Sequence, residues 1–312
     1  MPAINCILCN STNVSSLESI ESKDIVRLYK DRANVSVARL FKDETISYQS
    51  CNDCGLKFYY PQVIGDGEFY NDLQSYKGYY LQEKQEYVEA AKYVKEDDGI
   101  LEIGAGEGLF TKYIKYKSYI GLEFSDKAIE TAGNNGITII SESIQRFSES
   151  HANQFDVVCF FQVLEHVQHP RDFLFHSIKC LRPGGRLILA VPSEDSFINE
   201  VVNFYLNMPP HHASRWTDKT LRKIGELFDL QLVTLFHENV HQIHQQFYSK
   251  TKIYSSIMKS LGKRPRMIDN GITSKLSYGI STAAARIFPR SKDNIGQSVM
   301  VVFEKPPFSA SL

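Results

Sequence analysis

The sequence lacks both a strong net charge and a long apolar run. Its 312 residues carry 35 Lys and Arg against 36 Asp and Glu, which leaves a net charge of −1. Nucleic-acid-binding proteins usually carry a clear basic excess, so this balance argues against nucleic acid as a partner. No stretch approaches the roughly 18 consecutive apolar residues that span a bilayer. The first residues also lack the charged and apolar regions of a signal peptide, so we expect a cytoplasmic protein without a transmembrane segment.

Cysteine is scarce, yet four of the six cysteines form two pairs. "CILC" holds Cys6 and Cys9, and "CNDCG" holds Cys51 and Cys54. Disulfides are rare in a reducing compartment, whereas two C-x-x-C turns supply the four thiolates of a closed tetrahedral zinc site. A redox pair or unliganded buried thiols are the alternatives. We predict a structural zinc ion at these four cysteines, in a lobe over residues 1–65.

From about residue 99 onward, short apolar strands alternate with helical stretches. This alternation predicts an α/β fold in which helices cover both faces of a mostly parallel, doubly wound sheet. The seven strand candidates lie in "GILEIG", "YIGLEFS", "GITIIS", "FDVVCFF", "GRLILAVP", "LQLVTLF" and "QSVMVVFEK". A helix is expected to start after the glycine turn that follows the first of them. The last two strands can pair antiparallel, because that pairing requires no crossover helix.

A glycine-rich turn follows the first of these strands. Gly104, Gly106 and Gly108 allow a tight turn and a close approach of the backbone to a ligand. The third glycine comes one residue earlier than in the dinucleotide motif G-x-G-x-x-G. Glu102 precedes the turn, where a carboxylate would repel a pyrophosphate but suits a ligand with an ammonium group. Glu123 ends the next strand, where the ribose hydroxyls of a nucleoside are read; a solvated strand end is the alternative.

The segments "ILEIGAGEG", "GLEFS", "FDVVCFFQVLEHVQHP" and "LRPGGRLILAVP" resemble, in this order, the class I S-adenosylmethionine-dependent methyltransferases. The resemblance covers Gly99 to Pro192 and implies a Rossmann-like seven-stranded sheet with S-adenosylmethionine as cofactor. The cofactor-binding residues that it implies are Glu102, Gly104, Ala105 and Gly106 for the methionine end, Glu123 for the ribose, Phe124, Glu142 and Ser143 for the adenine, and Phe161 and Gln162 for the sulfonium side.

Tyrosines precede the first strand of this fold in "SYKGYYLQEKQEYVEAAKYV". We predict residues 66–98 to form a helical linker over the cofactor site, with an amphipathic helix over residues 81–95. In zinc-bearing relatives an aromatic segment at this place folds over the cofactor, so the resemblance implies cofactor contacts for Tyr76 and Tyr80. Packing between the zinc lobe and the sheet is the alternative for both tyrosines.

Glu165 and His166 come shortly after the fourth strand of the fold. The resemblance implies that these two residues organise the floor of the pocket. Acid–base catalysis is the alternative.

The loop "NMPPHHASRWT" follows the fifth strand and precedes the helix "DKTLRKIGELF". A segment that leaves this strand end must pass near the methyl donor, and its prolines restrict the backbone. A neutral histidine there can take the proton of a hydroxyl, enol or amine, so we predict His211 or His212 as the general base. In the alternative, one histidine bonds the backbone and the other packs on Trp216. Thr217 is a plausible N-cap of the helix.

An insert over residues 244–296 separates the sixth and seventh strands. It holds ten Lys and Arg against two Asp. Apolar residues recur at helical spacing in both halves, which predicts a basic helical hairpin. One interpretation is a helical cap with a solvated charged face, which could also form part of a homodimer contact. The other is a surface for an anionic acceptor, such as a nucleotide-sugar or a lipid phosphate, or for an anionic membrane.

These features together predict methyl transfer by a domain over residues 99–312. Four-cysteine lobes on this fold resemble those of sugar methyltransferases, so the expected acceptor is a sugar or nucleotide-sugar of carbohydrate biosynthesis, methylated on oxygen or carbon. One alternative is a ribosomal-RNA methyltransferase, although such enzymes have tighter zinc spacing than the gap from Cys9 to Cys51. Another is a non-catalytic zinc-bearing binding module, against which Glu102, the glycine turn and Glu123 argue.

Overall fold

The computed structural model describes residues 4–74, 85–264, 266–286 and 295–307. The strands within these ranges are β1 Val14–Glu21, β2 Thr45–Cys51, β3 Lys57–Tyr60, β4 Gly99–Ile103, β5 Ser118–Leu122, β6 Ile139–Ile140, β7 Phe155–Phe161, β8 Leu181–Pro192, β9 Ser214–Arg215, β10 Gln231–Asn239 and β11 Ile295–Glu304. The α-helices are α1 Ser22–Ala33, α2 Gly67–Gln74, α3 Gln85–Ala91, α4 Asp126–Asn134, α5 Ile144–Ser150, α6 Pro170–Cys180, α7 Asp218–Leu227, α8 Gln245–Ser260 and α9 Ile272–Ala284.

Seven of the described strands form one sheet in the order β10-β11-β8-β7-β4-β5-β6. Strands β4 to β8 pair in parallel, and β11 runs antiparallel to both of its neighbours. The predicted α/β class and the antiparallel pairing of the last two strands are confirmed. The chain proceeds from β4 to β5 and β6 on one side and returns with β7 on the other. The strand order therefore reverses between β4 and β7, where ligands of such sheets bind.

The helices around this sheet begin where their sequences supply a cap. The hydroxyls of Ser125, Ser143 and Thr217 accept backbone N–H groups at the starts of α4, α5 and α7. The prediction that Thr217 caps its helix is confirmed. Pro170 occupies the first turn of α6, where its missing N–H removes no helical hydrogen bond. The capping residues thus fix where each of these helices begins.

The helix expected after the glycine turn is reduced to a 3-10 turn over Leu109–Tyr113. Gly108 stands at its start with φ of 73° and brings no side chain to cap it. The turn instead uses the Thr111 hydroxyl, which donates to the Gly108 carbonyl at 2.7 Å. A helix without a side-chain cap leaves its first N–H groups unsatisfied, which favours the shorter element.

The predicted linker helix is shorter than expected among the described residues. The structure gives α3 as Gln85–Ala91 and turns after it, and residues 81–84 lie outside the description. The Asp98 carboxylate accepts the Lys95 N–H at 2.8 Å. This bond closes a turn immediately before β4, so the helical pattern ends before residue 95.

A second, four-stranded antiparallel sheet has the order β1-β2-β3-β9. Its edge strand β9 comes from the loop after β8 and pairs Ser214 with Phe58 and Arg215 with Lys57. Tyr59 also donates its N–H to the Ala213 carbonyl at 3.2 Å. The loop that carries the two adjacent histidines is therefore part of the N-terminal lobe's sheet, although the sequence places it more than a hundred residues later.

The insert before β11 contains α8 and α9, which confirms its helical character. Tyr254 on α8 is buried and its hydroxyl lies 2.8 Å from that of Ser274 on α9. The buried side of α9 consists of serines, however, and Leu276 and Ile280 are 64% and 59% exposed. The apolar face of the second helix therefore points to solvent. None of the helices in the described ranges combines the length and the apolar character needed to cross a membrane.

Candidate cofactor and acceptor site

The turn after β4 places glycine backbone at the reversal point of the sheet. Gly104 and Gly106 have φ of 69° and 53°. A Cβ on Gly104 would lie 2.5 Å from Cγ2 of Val163, whereas no described atom lies within 4 Å of a Cβ on Gly106. The N–H groups of Gly104 and Ala105 both donate to the Leu122 carbonyl, at 2.8 and 3.1 Å. The turn is thus fixed at Gly104 and Ala105, and its backbone is open to a ligand at Gly106.

The Glu123 carboxylate bridges the ends of β4 and β5. Its Oε2 accepts the Gly106 N–H at 3.0 Å, and its Oε1 accepts the N–H groups of Phe124 and Ser125 at 2.7 and 3.0 Å. A carboxylate offers about four acceptor positions. Three backbone donors therefore hold this side chain in place while an acceptor position is left for the hydroxyls of a ligand.

Glu102 lies within the sheet, one residue from the end of β4. Its side chain is 1% exposed and its Oε2 accepts the Tyr119 hydroxyl at 2.6 Å. Burial, and after it the charge of Glu102, raise the pKa of Tyr119 well above its usual range. The Tyr119 hydroxyl therefore keeps its proton, and it donates that proton in a hydrogen bond to the Glu102 carboxylate.

The residues predicted to surround the adenine follow β5 and β6. Phe124 is 70% exposed. The Glu142 carboxylate pairs with Arg146, with Nε and Oε1 3.1 Å apart. The Ser143 hydroxyl caps α5 by accepting the Arg146 N–H at 3.4 Å. An exposed ring and a carboxylate thus stand at the strand edge where the adenine is predicted.

Phe161 and Gln162 end β7 in different environments. The Phe161 ring lies in the core, with its centroid 4.8 Å from that of Tyr87. Gln162 has φ of 58°, and its Nε2 donates to Glu86 Oε1 and Ser298 Oγ, both at 3.2 Å. The structure therefore brings Gln162 to the end of the strand and places the Phe161 ring beneath it.

Tyr76 and Tyr80 lie outside the described residues. The helices on either side of them end at Gln74 and begin at Gln85. Their predicted contact with the cofactor stays a prediction.

The sequence matches the family described as a methyltransferase domain over residues 75–235. This match covers slightly more than half of the chain and includes every residue predicted to bind the cofactor. The chain belongs to this methyltransferase family. The predicted methyltransferase class is confirmed, and the glycine turn at the sheet's reversal point is the part of the domain in which a methyl donor is expected.

Curated relatives of this methyltransferase match only part of their own length. A ubiquinone biosynthesis O-methyltransferase of Schizosaccharomyces pombe is 34% identical over an alignment of 105 residues, and the match covers 30% of this chain and 38% of that protein. Its counterpart in Dictyostelium discoideum is 24% identical over 139 residues, 38% of this chain and 43% of that one. The matched region thus spans less than half of both relatives. A solved SAM-dependent methyltransferase from Archaeoglobus fulgidus aligns over 70% of this chain and 90% of its own, at 17% identity and a TM-score of 0.47.

Three histidines of the methyltransferase meet at the ends of β7 and β8. His166 follows β7, and His211 and His212 lie in the loop after β8. The centroid distances are 4.6 Å for His166–His211, 5.0 Å for His166–His212 and 4.6 Å for His211–His212. One ring nitrogen of each lies within 4.8 Å of the other two. Val163, which contacts Gly104, connects this cluster to the glycine turn.

The hydrogen bonds of the three rings share one pattern. In each ring Nδ1 faces a carbonyl oxygen, which can only accept, so Nδ1 carries the proton and Nε2 carries the lone pair. The pairs are His166 with the His211 carbonyl at 2.5 Å, His211 with the Leu206 carbonyl at 2.8 Å, and His212 with Asn207 Oδ1 at 3.0 Å. The rings are therefore held in one tautomer and one orientation.

Burial keeps these histidines neutral. It lowers the pKa of His166 to about 4 and the pKa values of His211 and His212 well below the usual range. The side chains of His211 and His212 are 6% and 7% exposed. At neutral pH the cluster therefore offers lone pairs and no positive charge, which suits a proton acceptor or a ligand of a cation.

A buried ion pair beside the histidine loop was not found from the sequence. Glu194 and Arg215 are each 4% exposed, and Arg215 Nη2 lies 2.6 Å from Glu194 Oε2. The Lys57 ammonium lies 2.8 Å from Oε1, which also accepts the Tyr48 hydroxyl at 3.2 Å. Single charged residues after a strand resemble surface positions, and no spacing relates the two. The pair joins the two ends of the loop after β8, and the contacts of Glu194 with Lys57 and Tyr48 anchor that loop to the N-terminal sheet.

The four paired cysteines form one cluster. The Sγ atoms of Cys6 and Cys54 are 3.5 Å apart, as are those of Cys9 and Cys51, and all four lie within 4.8 Å of one another. Tetrahedral thiolate ligands at the usual zinc distance are about 3.8 Å apart. A hydrogen bond from Cys54 lowers the pKa of Cys6 to about 5. The four sulfurs are thus spaced as a metal ion requires, and at least one favours the thiolate form.

Proposed function

We propose that this protein transfers the methyl group of S-adenosylmethionine to a small-molecule acceptor that binds over the histidine cluster. The observation that carries the proposal is the contact between Gly104 and Val163. It places the glycine turn, where the family binds its methyl donor, beside the loop that leads to His166. The donor and the three imidazoles therefore share the carboxyl-terminal edge of one sheet.

The cofactor-binding residues of the proposal act by orientation. S-adenosylmethionine supplies the electrophilic methyl group, and the chain aligns it for in-line displacement. Glu123 is held by three backbone donors with an acceptor position left for the ribose hydroxyls. The Gly104–Gly106 turn and Glu102 are assigned to the methionine end. Phe124, with Glu142 and Ser143, is assigned to the adenine, and Phe161 and Gln162 are assigned to the sulfonium side.

We propose His211 or His212 as the residue that takes the proton from the acceptor. A neutral imidazole with a lone pair on Nε2 accepts a proton from a hydroxyl as the oxygen attacks the methyl carbon. In each of these two histidines an oxygen accepts the Nδ1 proton and fixes the ring, so Nε2 points in one direction. Oxygen is the favoured acceptor atom, since the similar curated proteins are named O-methyltransferases.

The acceptor remains a sugar or nucleotide-sugar in this proposal, with a compound of ubiquinone biosynthesis as the class suggested by the names of the relatives. Lys and Arg of the 244–296 insert favour an anionic acceptor. An RNA methyltransferase and a non-catalytic binding module are the rivals. The division into residues 1–65, 66–98 and 99–312, the cytoplasmic location and a homodimer are kept as predictions.

We propose zinc at the four-cysteine cluster, in a structural role. Cys6, Cys51 and Cys54 are no more than 1% exposed. Four thiolates fill a tetrahedral site and leave no position for a substrate. The ion would tie the segment before β1 to the turn between β2 and β3.

The test combines cofactor binding with product release. Calorimetry with S-adenosylmethionine measures affinity, and release of S-adenosylhomocysteine is followed with nucleotide-sugars, glycans, phenols and RNA. Glu123→Gln should weaken cofactor binding at least tenfold, whereas Glu130→Gln, on the exposed side of α4, should not. A wild-type protein that binds no S-adenosylmethionine would support the binding module, and turnover of RNA alone would support the RNA enzyme.

A further inference from the structure

The histidine cluster has a property that a single general base does not need. Three imidazoles, rather than one, come together, and one ring nitrogen of each lies within 4.8 Å of the others. Each Nδ1 faces an oxygen, so Nε2 is the ring nitrogen that carries the lone pair. Adjacent lone pairs repel one another, and a cation placed between them removes that repulsion.

The orientation of the rings is the arrangement found around bound metals. A histidine that ligates a metal usually donates its other ring N–H to a carbonyl or carboxylate, which fixes its tautomer and direction. Here the Nδ1–H groups of the three histidines donate to the carbonyls of Leu206 and His211 and to the amide oxygen of Asn207. Leu206 and Asn207 precede the two loop histidines by a few residues, so the loop fixes its own rings.

One buried carboxylate lies beside the cluster, while the charge of Arg215 acts on His212 in the opposite sense. Glu165 is 1% exposed, and its Oε1 lies 3.7 Å from Nε2 of His166. A buried carboxylate beside three neutral rings stabilises a cation there. Tyr70 packs edge-on against His166 with centroids 5.9 Å apart, which limits access from the side of α2.

We propose that His166, His211 and His212 bind a divalent transition-metal ion through Nε2, with zinc as the first candidate. Imidazole ligands suit zinc, copper, nickel and iron, whereas magnesium and calcium prefer oxygen. Three protein ligands leave an open coordination position, as in catalytic zinc sites. This second site differs from the cysteine cluster, which is closed.

The open position gives the ion a role that rests on the proposed function. An acceptor hydroxyl bound there would have a lowered pKa. Its O–H bond would break with the proton released to water, and its oxygen would form a bond to the methyl carbon. The carbon–sulfur bond of the cofactor would break and leave S-adenosylhomocysteine. In the metal-bound protein the histidines would serve as ligands, and the role of His211 or His212 as base would apply to the protein without the ion.

The test counts metal ions in the full-length protein. The chain is stripped with a chelator, reconstituted with Co²⁺, and analysed for cobalt content and absorption. Two ions per chain are expected, one with thiolate-to-cobalt charge transfer and one with the weaker bands of a nitrogen site. His211→Ala combined with His212→Ala should keep the thiolate band and lose one ion. His237→Ala is the matched control, because His237 pairs with Asp218 outside the cluster, and it should retain both ions.

A single ion per wild-type chain, bound by thiolate alone, would overturn the proposal. So would a double variant that binds as many ions as the wild type. If that variant fails to fold, X-ray absorption of the zinc-loaded wild type decides, since a pure sulfur shell excludes the histidine site and a mixed sulfur and nitrogen shell supports it. Neither readout depends on methyl transfer, so failure of the metal site and failure of the enzymatic proposal are separate results.

Discussion

A single pair of residues, Glu194 and Arg215, holds the loop after β8 through a buried ion pair. Both side chains are 4% exposed, and their charged atoms lie 2.6 Å apart. Taking two charges out of water costs free energy that their attraction offsets only when both partners are present. The pair therefore stabilises this arrangement of the loop over others more than it stabilises folding as a whole.

Removal of one partner should be costly. Glu194→Ala leaves Arg215 buried without its carboxylate, and we expect the free energy of unfolding to fall by about 3–5 kcal/mol. Denaturant titration measures the change. Glu21→Ala is the control, because its pair with Lys23 is exposed at 3.6 Å, and such pairs contribute about 1 kcal/mol or less. Equal effects of the two substitutions would show that the buried pair has no special role.

The histidine cluster, with His211 and His212 buried and His166 half-buried, should make stability depend on pH. Burial lowers the pKa of His166 to about 4 and lowers those of His211 and His212. Below a pH of about 6.5 the unfolded chain binds protons that the folded chain does not. The free energy of unfolding should therefore fall as the pH decreases from about 6.5 towards 4, and release of a bound metal would act in the same direction.

This pH dependence is measured by thermal unfolding across that range. His212→Gln should flatten the curve, because the variant has one buried titratable ring fewer. The exposed His169 provides the control, and His169→Gln should leave the slope unchanged. A wild-type curve that is flat between pH 6.5 and 4 would contradict the assignment of buried neutral rings.

At the scale of elements, α9 differs from the usual amphipathic helix. Its buried side carries Ser274, Ser277 and Ser281, and its outer side carries Leu276 and Ile280. Small serines allow α9 to approach α8 closely, and the Tyr254 hydroxyl, 2.8 Å from that of Ser274, joins the two helices. The sequence pattern predicted the helix but not which side is buried, because apolar periodicity identifies a face without identifying its partner.

Substitutions on the two faces of α9 should have opposite consequences. Leu276→Ser removes an exposed side chain, and we expect stability to change by no more than about 0.5 kcal/mol. Ser277→Leu inserts volume into the contact with α8, and a loss of about 1–3 kcal/mol is expected. The midpoint of thermal unfolding and the rate of proteolysis within the insert report both. A large loss from Leu276→Ser with no loss from Ser277→Leu would reverse the assignment of faces.

At the scale of the whole molecule, the two sheets are connected through β9. That strand extends the N-terminal sheet, yet it belongs to the loop that holds His211 and His212. The cysteine cluster shares one apolar core with the large sheet, including Trp216 and Leu221. We therefore expect a substitution of one of the cysteines to alter the loop that holds His211 and His212, over which the acceptor is proposed to bind.

Loss of the cysteine site should loosen the lobe and the histidine loop together. In Cys54→Ser we expect faster amide hydrogen exchange in β1 to β3 and in β9, because the cysteines join the segment before β1 to the turn between β2 and β3. Protection should be retained in β4 and β7, because each pairs with two neighbouring strands of the large sheet. Mass spectrometry of exchanged peptides measures this. Cys180→Ala, at a buried cysteine outside the cluster, is the control and should leave exchange in β1 to β3 unchanged. Unaltered exchange at β9 in Cys54→Ser would disprove the coupling.

Local chemistry allowed much of the fold to be predicted from the sequence alone. Apolar periodicity gave the strands of the large sheet, the glycines gave the turn after β4, and cysteine spacing gave the cluster at Cys6 to Cys54. Each of these signals lies within a few residues of chain, where backbone geometry and side-chain type act directly. The predicted cofactor residues follow strands for the same reason, since strand ends of a parallel sheet meet at one edge.

The tertiary structure alone decided which distant residues meet. His166 joins His211 and His212, Glu194 joins Arg215, and β9 joins the sheet of the lobe. No local pattern encodes these contacts, because they arise when loops from different strand ends fold over the same edge of the sheet. The sequence therefore determined that this chain is a methyltransferase with a four-cysteine cluster. Packing decided that its two buried loop histidines form one neutral cluster with the half-buried His166.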